Sequence, residues 1–210
     1  MSSAEPTSTP LEIEQKYRIT DPAALEAEVS RLGAIPAAPQ RHADTYYRHP
    51  SRDFVQTKEA LRIRRIVAAG SGTHFATKDD QTRAYVTYKG PYRAGGIKTR
   101  PELEWRLEPG DPDGRNLAEL FRHLGFVEAL TVAKTRRPFE LEHQGRQVAI
   151  VIDDAGPLGH FVEIEMMAMA EDQVEACRAT VAEIAAMLRL SSPEPRSYLA
   201  MALAMPNYRP

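Results

Sequence analysis

Leu11 to Ile19, LEIEQKYRI, alternates apolar with polar or charged residues, and no other feature constrains the fold as much. Residues two apart on a β-strand share a face, so Leu11, Ile13 and Tyr17 lie on one side and Glu12, Glu14 and Lys16 on the other. The pattern E-x-E-x-K returns as Glu102-Leu103-Glu104-Trp105-Arg106, with Arg in place of Lys, and a third E-x-E stands at Glu163-Ile164-Glu165. Neighbouring carboxylates on one strand face repel unless a metal or an opposite charge sits between them. Three such strands in one chain point to a site for metal ions and a highly charged ligand.

The same periodicities place the other elements. Asp21-Pro22 supplies a helix cap and a first-turn proline, Leu25, Val29 and Leu32 follow at helical spacing, and Gly33 stops the helix. Strands are predicted at 43–48, 60–67, 99–107, 131–141, 146–153 and 160–167, and a Gly/Ser turn near Gly70 to Gly72 leads into a hairpin of 73–78 with 84–89. Asn116 is predicted to cap a helix carrying Leu117, Leu120, Phe121 and Leu124, stopped by Gly125. Val174, Cys177, Val181, Ile184 and Leu188 mark an amphipathic helix, and a short helix over 197–205 closes the chain. The opening strand and its helix, ending Arg31-Leu32-Gly33-Ala34, are echoed by ELEWRLE and a helix ending His123-Leu124-Gly125-Phe126. Two strand–helix–strand halves plus hairpins predict an α+β fold: a closed eight-stranded antiparallel β-barrel with helices packed outside.

The 210 residues suffice for one domain with a real core, read as a disordered lead over 1–10, a domain over 11–205 and a tail over 206–210. No apolar run approaches the length of a membrane span, and the first residues carry neither the basic nor the apolar region of a secretory signal. Cys177 is the single cysteine, which excludes an internal disulfide and a thiolate metal site and fits a cytoplasmic location. A net charge of −2 gives no case for nucleic acid or membrane as partners.

What matters is how the charge is arranged. Arg62 and Arg64 share one strand parity, as do Arg100, Glu102, Glu104 and Arg106, Lys134 and Arg136, and Glu163 and Glu165, while Lys78 and Lys89 lie on neighbouring strands. Solvated strand faces are the alternative reading, but those usually mix Thr, Ser and Gln with Lys, whereas here full charges repeat and acids and bases are segregated. If the sheet closes, one interior wall is acidic and another basic. Such an interior holds a divalent cation, Mg²⁺ or Mn²⁺ by its oxygen donors, bridged to a triphosphate. His42, His74, His123 and His160 show no metal spacing and read as surface or loop residues; Cys177 and Trp105 read as packing, the latter under a helix. Gly95-Gly96 with Arg93 reads either as a mobile loop at the barrel mouth or as an ordinary hairpin loop.

The ordered set Glu12-x-Glu14-x-Lys16, Asp44-Thr45-Tyr46-Tyr47, Ala60-Leu61-Arg62-Ile63-Arg64, Thr87-Tyr88-Lys89-Gly90-Pro91, Arg100-x-Glu102-x-Glu104, Lys134-x-Arg136, Asp153, Leu158-Gly159-x-Phe161-Val162-Glu163-Ile164-Glu165 and Ser197-Tyr198 resembles the CYTH superfamily of triphosphate tunnel metalloenzymes. Its details are most similar to the class IV adenylyl cyclase-like branch, which shares its fold with thiamine triphosphatases. The resemblance implies that Glu12, Glu14, Glu163 and Glu165 hold metal, with Glu102, Glu104 and Asp153 joining them or holding ligated waters. It implies that Lys16, Arg62, Arg64, Lys89, Arg100, Lys134 and Arg136 clamp phosphates, and that Lys16 acts on the leaving oxygen with Tyr46 tuning it. A homodimer is compatible with the relatives. The family's cyclases carry a His-Phe pair where this chain has Pro6 and Thr7, and its triphosphatases often read D-T-Y-Y-D where this chain has Arg48. The expectation is a metal-dependent triphosphatase; a cyclase making cyclic AMP and a non-catalytic polyphosphate or nucleotide sensor are the alternatives.

Overall fold

The first strand, β1 (Leu11–Ile19), is buried on both faces along most of its length, as a strand is when one face meets a core and the other a closed interior. The computed structural model describes residues 9–68 and 82–210. The lead residues 1–8 with Pro6 and Thr7, the turn at Gly70 to Gly72, the expected strand at 73–78, His74 and Lys78 lie outside those residues.

After β1 come α1 (Pro22–Arg31), the two-residue β2 (Ile35–Pro36), β3 (Gln40–Arg48), the one-turn α2 (Phe54–Thr57), β4 (Ala60–Ala68) and β5 (Arg83–Lys89). The second half runs β6 (Lys98–Arg106), α3 (Arg115–His123), β7 (Val127–His143), β8 (Arg146–Asp154) and β9 (His160–Ala168), then α4 (Val174–Met187) and α5 (Tyr198–Ala204). The sheet order β7-β3-β4-β5-β6-β1-β9-β8, with β8 returning to β7, is a closed eight-stranded antiparallel barrel; β2 pairs outside it on β7. Closure works because β7 is long enough to serve two neighbours, its first part pairing β3 and its last part β8. The order is symmetric about the contacts β1–β6 and β3–β7, so β1, α1, β3, β4 and β5 correspond to β6, α3, β7, β8 and β9. The repeat read in the sequence is this pseudo-two-fold.

Helices cover the outside. Asp21 caps α1 by accepting from the Ala24 N–H, as its sequence predicts. Val29 of α1 and Val181 and Ile184 of α4 pack on Ile13, Ile150 and Ile164 in the main core, where each fully buried aliphatic side chain contributes roughly 1.5–3 kcal/mol. Cys177 is part of that core, as expected. Phe121 of α3 packs with Tyr47 and Ile63. Three expectations fail around this helix. Asn116 does not cap α3: Gly114, at φ +69°, precedes the helix, and the Asp111 carboxylate accepts from the N–H groups of Asn116 at 3.0 Å and Leu117 at 2.9 Å. Leu120 and Leu124, expected on the packed face, are 52% and 58% exposed, because this short helix turns only Leu117, Ala118 and Phe121 onto the sheet. Trp105, expected under a helix, is 54% exposed, since α3 packs on Leu61, Val86 and Leu107 instead.

Candidate metal and polyanion site

Directly paired residues on neighbouring strands point to the same side, so the register maps the interior. On β1, Glu12, Glu14 and Lys16 face inward, and β9 sets Glu165 opposite Glu14 and Glu163 opposite Lys16. On the other flank of β1, β6 sets Arg100 opposite Glu12 and Lys98 opposite Glu14. Around the barrel the same row structure brings in Lys89 and Thr87, Arg62 and Arg64, Asp44 and Tyr46, and Lys134 and Arg136. Most of these charged groups are buried. They surround a cavity of about 1660 Å³ that Glu12, Glu14, Lys16, Arg62, Arg64, Lys89, Arg100, Glu102, Glu104, Lys134, Arg136, Glu163, Glu165 and Tyr46 all line.

Three carboxylates stand apart. Single oxygens of Glu12, Glu14 and Glu165 lie within 4.8 Å of one another. Glu14 and Glu165 are directly opposed across the β1–β9 ladder, a placement that destabilises a sheet when both are ionised. Burial and the nearby carboxylates of Glu163, Glu12 and Glu14 push Glu165 up to about 8 despite Arg136. Glu12 goes the other way: burial raises it, but Lys89 and Arg100, whose Nε is 3.4 Å away, hold it below the usual carboxylate range. The corresponding face of β6 builds no such triad, because β5 offers Lys89 and Thr87 where β9 offers two acids. Glu102 meets Lys89 Nζ at 3.3 Å, and Glu104 accepts from Thr87 at 2.7 Å. A cluster of oxygen-only donors with surplus negative charge fits a hard divalent cation.

The remaining acids lie deeper among the bases. Asp153, fully buried, accepts from Lys134 at 2.8 Å, from Arg136 at 2.8 and 2.7 Å and from the Tyr198 hydroxyl at 2.9 Å. Glu163 accepts from Lys16 at 3.3 Å and from Arg136, and its pKa lies well below the ordinary value because Lys134, Lys16 and Arg136 outweigh burial. Across the pseudo-two-fold, Asp44 on β3 holds Arg64 at 2.7 and 2.8 Å and Arg62 at 3.1 Å on β4, whereas on the other side the bases stand on β7 and the acid on β8. The two basic pairs flank the β3–β7 seam and form one wall. Lys16 is buried, which lowers its pKa, but Glu163 and Glu14 more than restore it, so it stays protonated. For Lys134, burial and Arg136 win over Asp153 and Glu163, and its pKa is lowered.

The CYTH domain profile matches residues 10–198. The chain belongs to the CYTH domain family. A Methanocaldococcus jannaschii protein provisionally named an adenylate cyclase is 32% identical over 155 residues, covering 74% of this chain and 76% of that protein. Among solved structures, the PH1819 protein from Pyrococcus horikoshii is 33% identical with a TM-score of 0.77, over 92% of this chain and 98% of that one. A Hippeastrum protein, described as a provisional adenylyl cyclase with a dominant triphosphatase activity, shares the fold at 15% identity and a TM-score of 0.59, over 92% of this chain and 95% of that one. No helix of the described residues is long and apolar enough to cross a membrane.

Within this CYTH barrel, several site residues escaped the sequence reading. Asp44 and Tyr198 sit inside recognised motifs, yet nothing local shows that one organises Arg62 and Arg64 and the other donates to Asp153. Lys98 shares parity with Arg100 and pairs with Glu14 at 3.1 Å; parity alone would have found it. The Tyr198 ring stands against the Lys16 ammonium, 4.2 Å from it, and Lys134 approaches the same ring at 4.5 Å, while Tyr46 lines the same cavity. His42, expected at the surface, is buried: its Nε2 meets Gln40 Oε1 at 2.8 Å and its Nδ1 has no partner. Burial, then Arg64, Arg136 and Lys134, lower its pKa, so it is neutral. His123 and His160 are at the surface.

Proposed function

We propose that this protein hydrolyses the terminal anhydride of a triphosphate in a reaction that depends on Mg²⁺ or Mn²⁺. The carrying observation is the convergence of Glu12, Glu14 and Glu165 within 4.8 Å in the same cavity as the basic wall of Arg62, Arg64, Lys134 and Arg136. An acidic corner facing a basic wall suits a polyanion that brings a divalent cation with it. Of the acids expected to hold metal, Glu12, Glu14 and Glu165 are assigned here as ligands. Glu163, Glu102, Glu104 and Asp153 are assigned to fixing the bases and hydroxyls around them, because their oxygens lie outside the group that converges within 4.8 Å.

When bound, the divalent cation supplies positive charge against phosphoryl oxygens. The chain's own groups do the rest. Arg62, Arg64, Arg136, Lys89 and Arg100 hold the non-bridging oxygens by charge-assisted hydrogen bonds, each guanidinium kept in place by a buried carboxylate. Water adds to the terminal phosphorus, the bridging P–O bond breaks, the leaving oxygen departs with the electron pair, and the water's proton passes to a phosphate oxygen or to solvent. Lys16, protonated and backed by Glu163, faces that oxygen as a fixed charge, and Tyr46 lines the cavity beside it. Most of the rate enhancement is then positioning and pre-arranged charge.

A second reading, cyclisation of ATP, is favoured by the name of the 32%-identical archaeal relative. The replacement of the family cyclases' His-Phe pair by Pro6 and Thr7 speaks against it. Incubation with tripolyphosphate, thiamine triphosphate or ATP and either metal, followed by ³¹P NMR, separates the readings. Orthophosphate release supports hydrolysis, and pyrophosphate with cyclic AMP supports the cyclase. Retained binding without product identifies a sensor and overturns both.

A further inference from the structure

We infer that Glu194, with Arg18, is a positioning residue for Lys16: the two latch the segment 193–198 onto β1 and so hold Tyr198 in the site. The inference rests on the triphosphate reading, in which Lys16 meets the leaving oxygen. β9 runs along one flank of β1 throughout, and β6 takes the other flank from Leu11 to Glu14. Past Glu14 the segment between α4 and α5 continues that second flank. Pro193 bridges Tyr17, and the Glu194 N–H donates to the Lys16 carbonyl at 2.7 Å. Tyr198 then opens α5 and lines the cavity. Its hydroxyl donates to Asp153 at 2.9 Å, and its ring lies 4.2 Å from the Lys16 ammonium and 4.5 Å from that of Lys134. One short stretch of chain thus holds Lys16 at both ends, the backbone through Glu194 and the ammonium through Tyr198.

The Glu194 side chain makes the latch. It is buried and accepts from Arg18 Nε at 3.2 Å, from the Arg196 N–H at 3.1 Å and from the Arg196 guanidinium at 2.8 and 2.7 Å. The Arg196 hydrogen bonds, joined by that of Arg18, outweigh burial and lower its pKa to about 2, so it is ionised at neutral pH. Arg18 carries the tie onward: its guanidinium donates to Leu158 O at 2.9 Å and lies 4.7 Å from the Phe161 ring, which meets the Tyr198 ring edge-on. Pro193 and Pro195 fix φ on either side and bias Glu194 toward the extended conformation that reaches β1. With seven residues, α5 is too short to stand as a helix by itself, so the place of Tyr198 depends on packing and on this tie. An exposed ion pair of little consequence is the plainer reading. Against it, the carboxylate is buried and its own backbone N–H is bonded to Lys16. The Arg18 and Arg196 side chains are about half exposed, so removing Glu194 strands no buried charge and leaves the fold intact.

The test measures kcat and KM with Mg²⁺ and tripolyphosphate or ATP, whichever the wild type hydrolyses faster, on the wild type, Glu194→Ala, Glu194→Gln, Tyr198→Ala and the Glu194→Ala/Tyr198→Ala double variant. Amide hydrogen exchange is followed on the same proteins. Lys16 answers charge that develops on the leaving oxygen, so displacing it lowers kcat rather than substrate binding. Glu194→Ala is expected to lower kcat about tenfold or more with KM within about twofold of wild type. It should add nothing to the loss in Tyr198→Ala and should speed exchange over 194–204 alone. Glu194→Gln, which keeps an acceptor for the arginines, should lose less. A normal kcat in Glu194→Ala, a loss confined to KM, or losses that multiply in the double variant overturn the latch while the triphosphate reading stands. Faster exchange throughout the barrel makes Glu194 a merely structural residue and overturns the latch as well. If the wild type releases no orthophosphate, both fail.

Discussion

Glu165 is the triad carboxylate with the weakest cationic support: its ion pair, to Arg136, spans 3.9 Å, and its pKa is pushed up to about 8. Glutamine therefore imitates the state it favours without metal. Glu165→Gln is expected to change metal-free stability by less than about 1 kcal/mol while lowering Mn²⁺ affinity about tenfold or more, read by melting and calorimetry. Asp153 is the contrary case. Asp153→Asn removes one of the two anions that Lys134 and Arg136 share, leaving them to Glu163, and should cost about 3 kcal/mol in denaturant unfolding. His42 sets the acid sensitivity. Its folded pKa is depressed by burial and by Arg64, Arg136 and Lys134, so below its unfolded value of about 6.5 the unfolded chain binds a proton that the native chain refuses. Stability is then lost as pH falls from there, by up to about 1.4 kcal/mol per pH unit. Asp44, held well below its ordinary value by Arg62 and Arg64 against burial, adds a loss of the same sign below about pH 4. Glu165, raised to about 8, contributes with the opposite sign over the same window, so the His42 loss is read as a difference: melting between pH 7 and 5 should show the wild type losing stability relative to His42→Gln as pH falls.

At the scale of elements, the strands were legible and the helix faces less so. LEIEQKYRI could be read because the β period is two and every second residue is charged. In α3, Leu117, Leu120, Phe121 and Leu124 all satisfy helical spacing, yet nine residues on a curved barrel touch it through a narrower stripe, leaving Leu120 and Leu124 outside. The start of α3 went to Asn116 by residue preference, whereas the chain reaches it through a left-handed Gly114 whose Cβ would lie 2.7 Å from Ile63 Cγ2. Gly114→Ala should therefore destabilise the fold by about 2 kcal/mol or more, combining a strained φ with an overpacked contact, measured as a shift in urea midpoint. Helix edges depend on the exit geometry of the preceding strand, which residue preference does not encode.

For the molecule as a whole, the barrel concentrates full charges in a closed interior, and the ion pairs there hold the walls apart from collapse around a cavity of about 1660 Å³. Mg²⁺ or tripolyphosphate alone meets one wall; together they answer both. The Mg²⁺–tripolyphosphate complex, at about a hundred times its Kd, should stabilise the fold by about 2.7 kcal/mol, or roughly 5–10 °C in a chain of this size, and the same concentration of either component alone by much less. Differential scanning calorimetry with the four combinations checks this, and equal shifts from Mg²⁺ alone would contradict a site built for both.

Alternation fixes strand faces, and the order of motifs carries the family, so the sequence by itself determined the barrel and most of the charged residues that line its cavity. It did not determine which carboxylates meet. Glu12, Glu14 and Glu165 come together, and Glu102, Glu104 and Asp153 do not join them, because registers between strands far apart in the chain set Glu165 opposite Glu14 but Lys89 opposite Glu102. The division of labour within one set of acids, and the burial of His42 and exposure of Trp105, are consequences of pairing and closure, which only the tertiary structure decided.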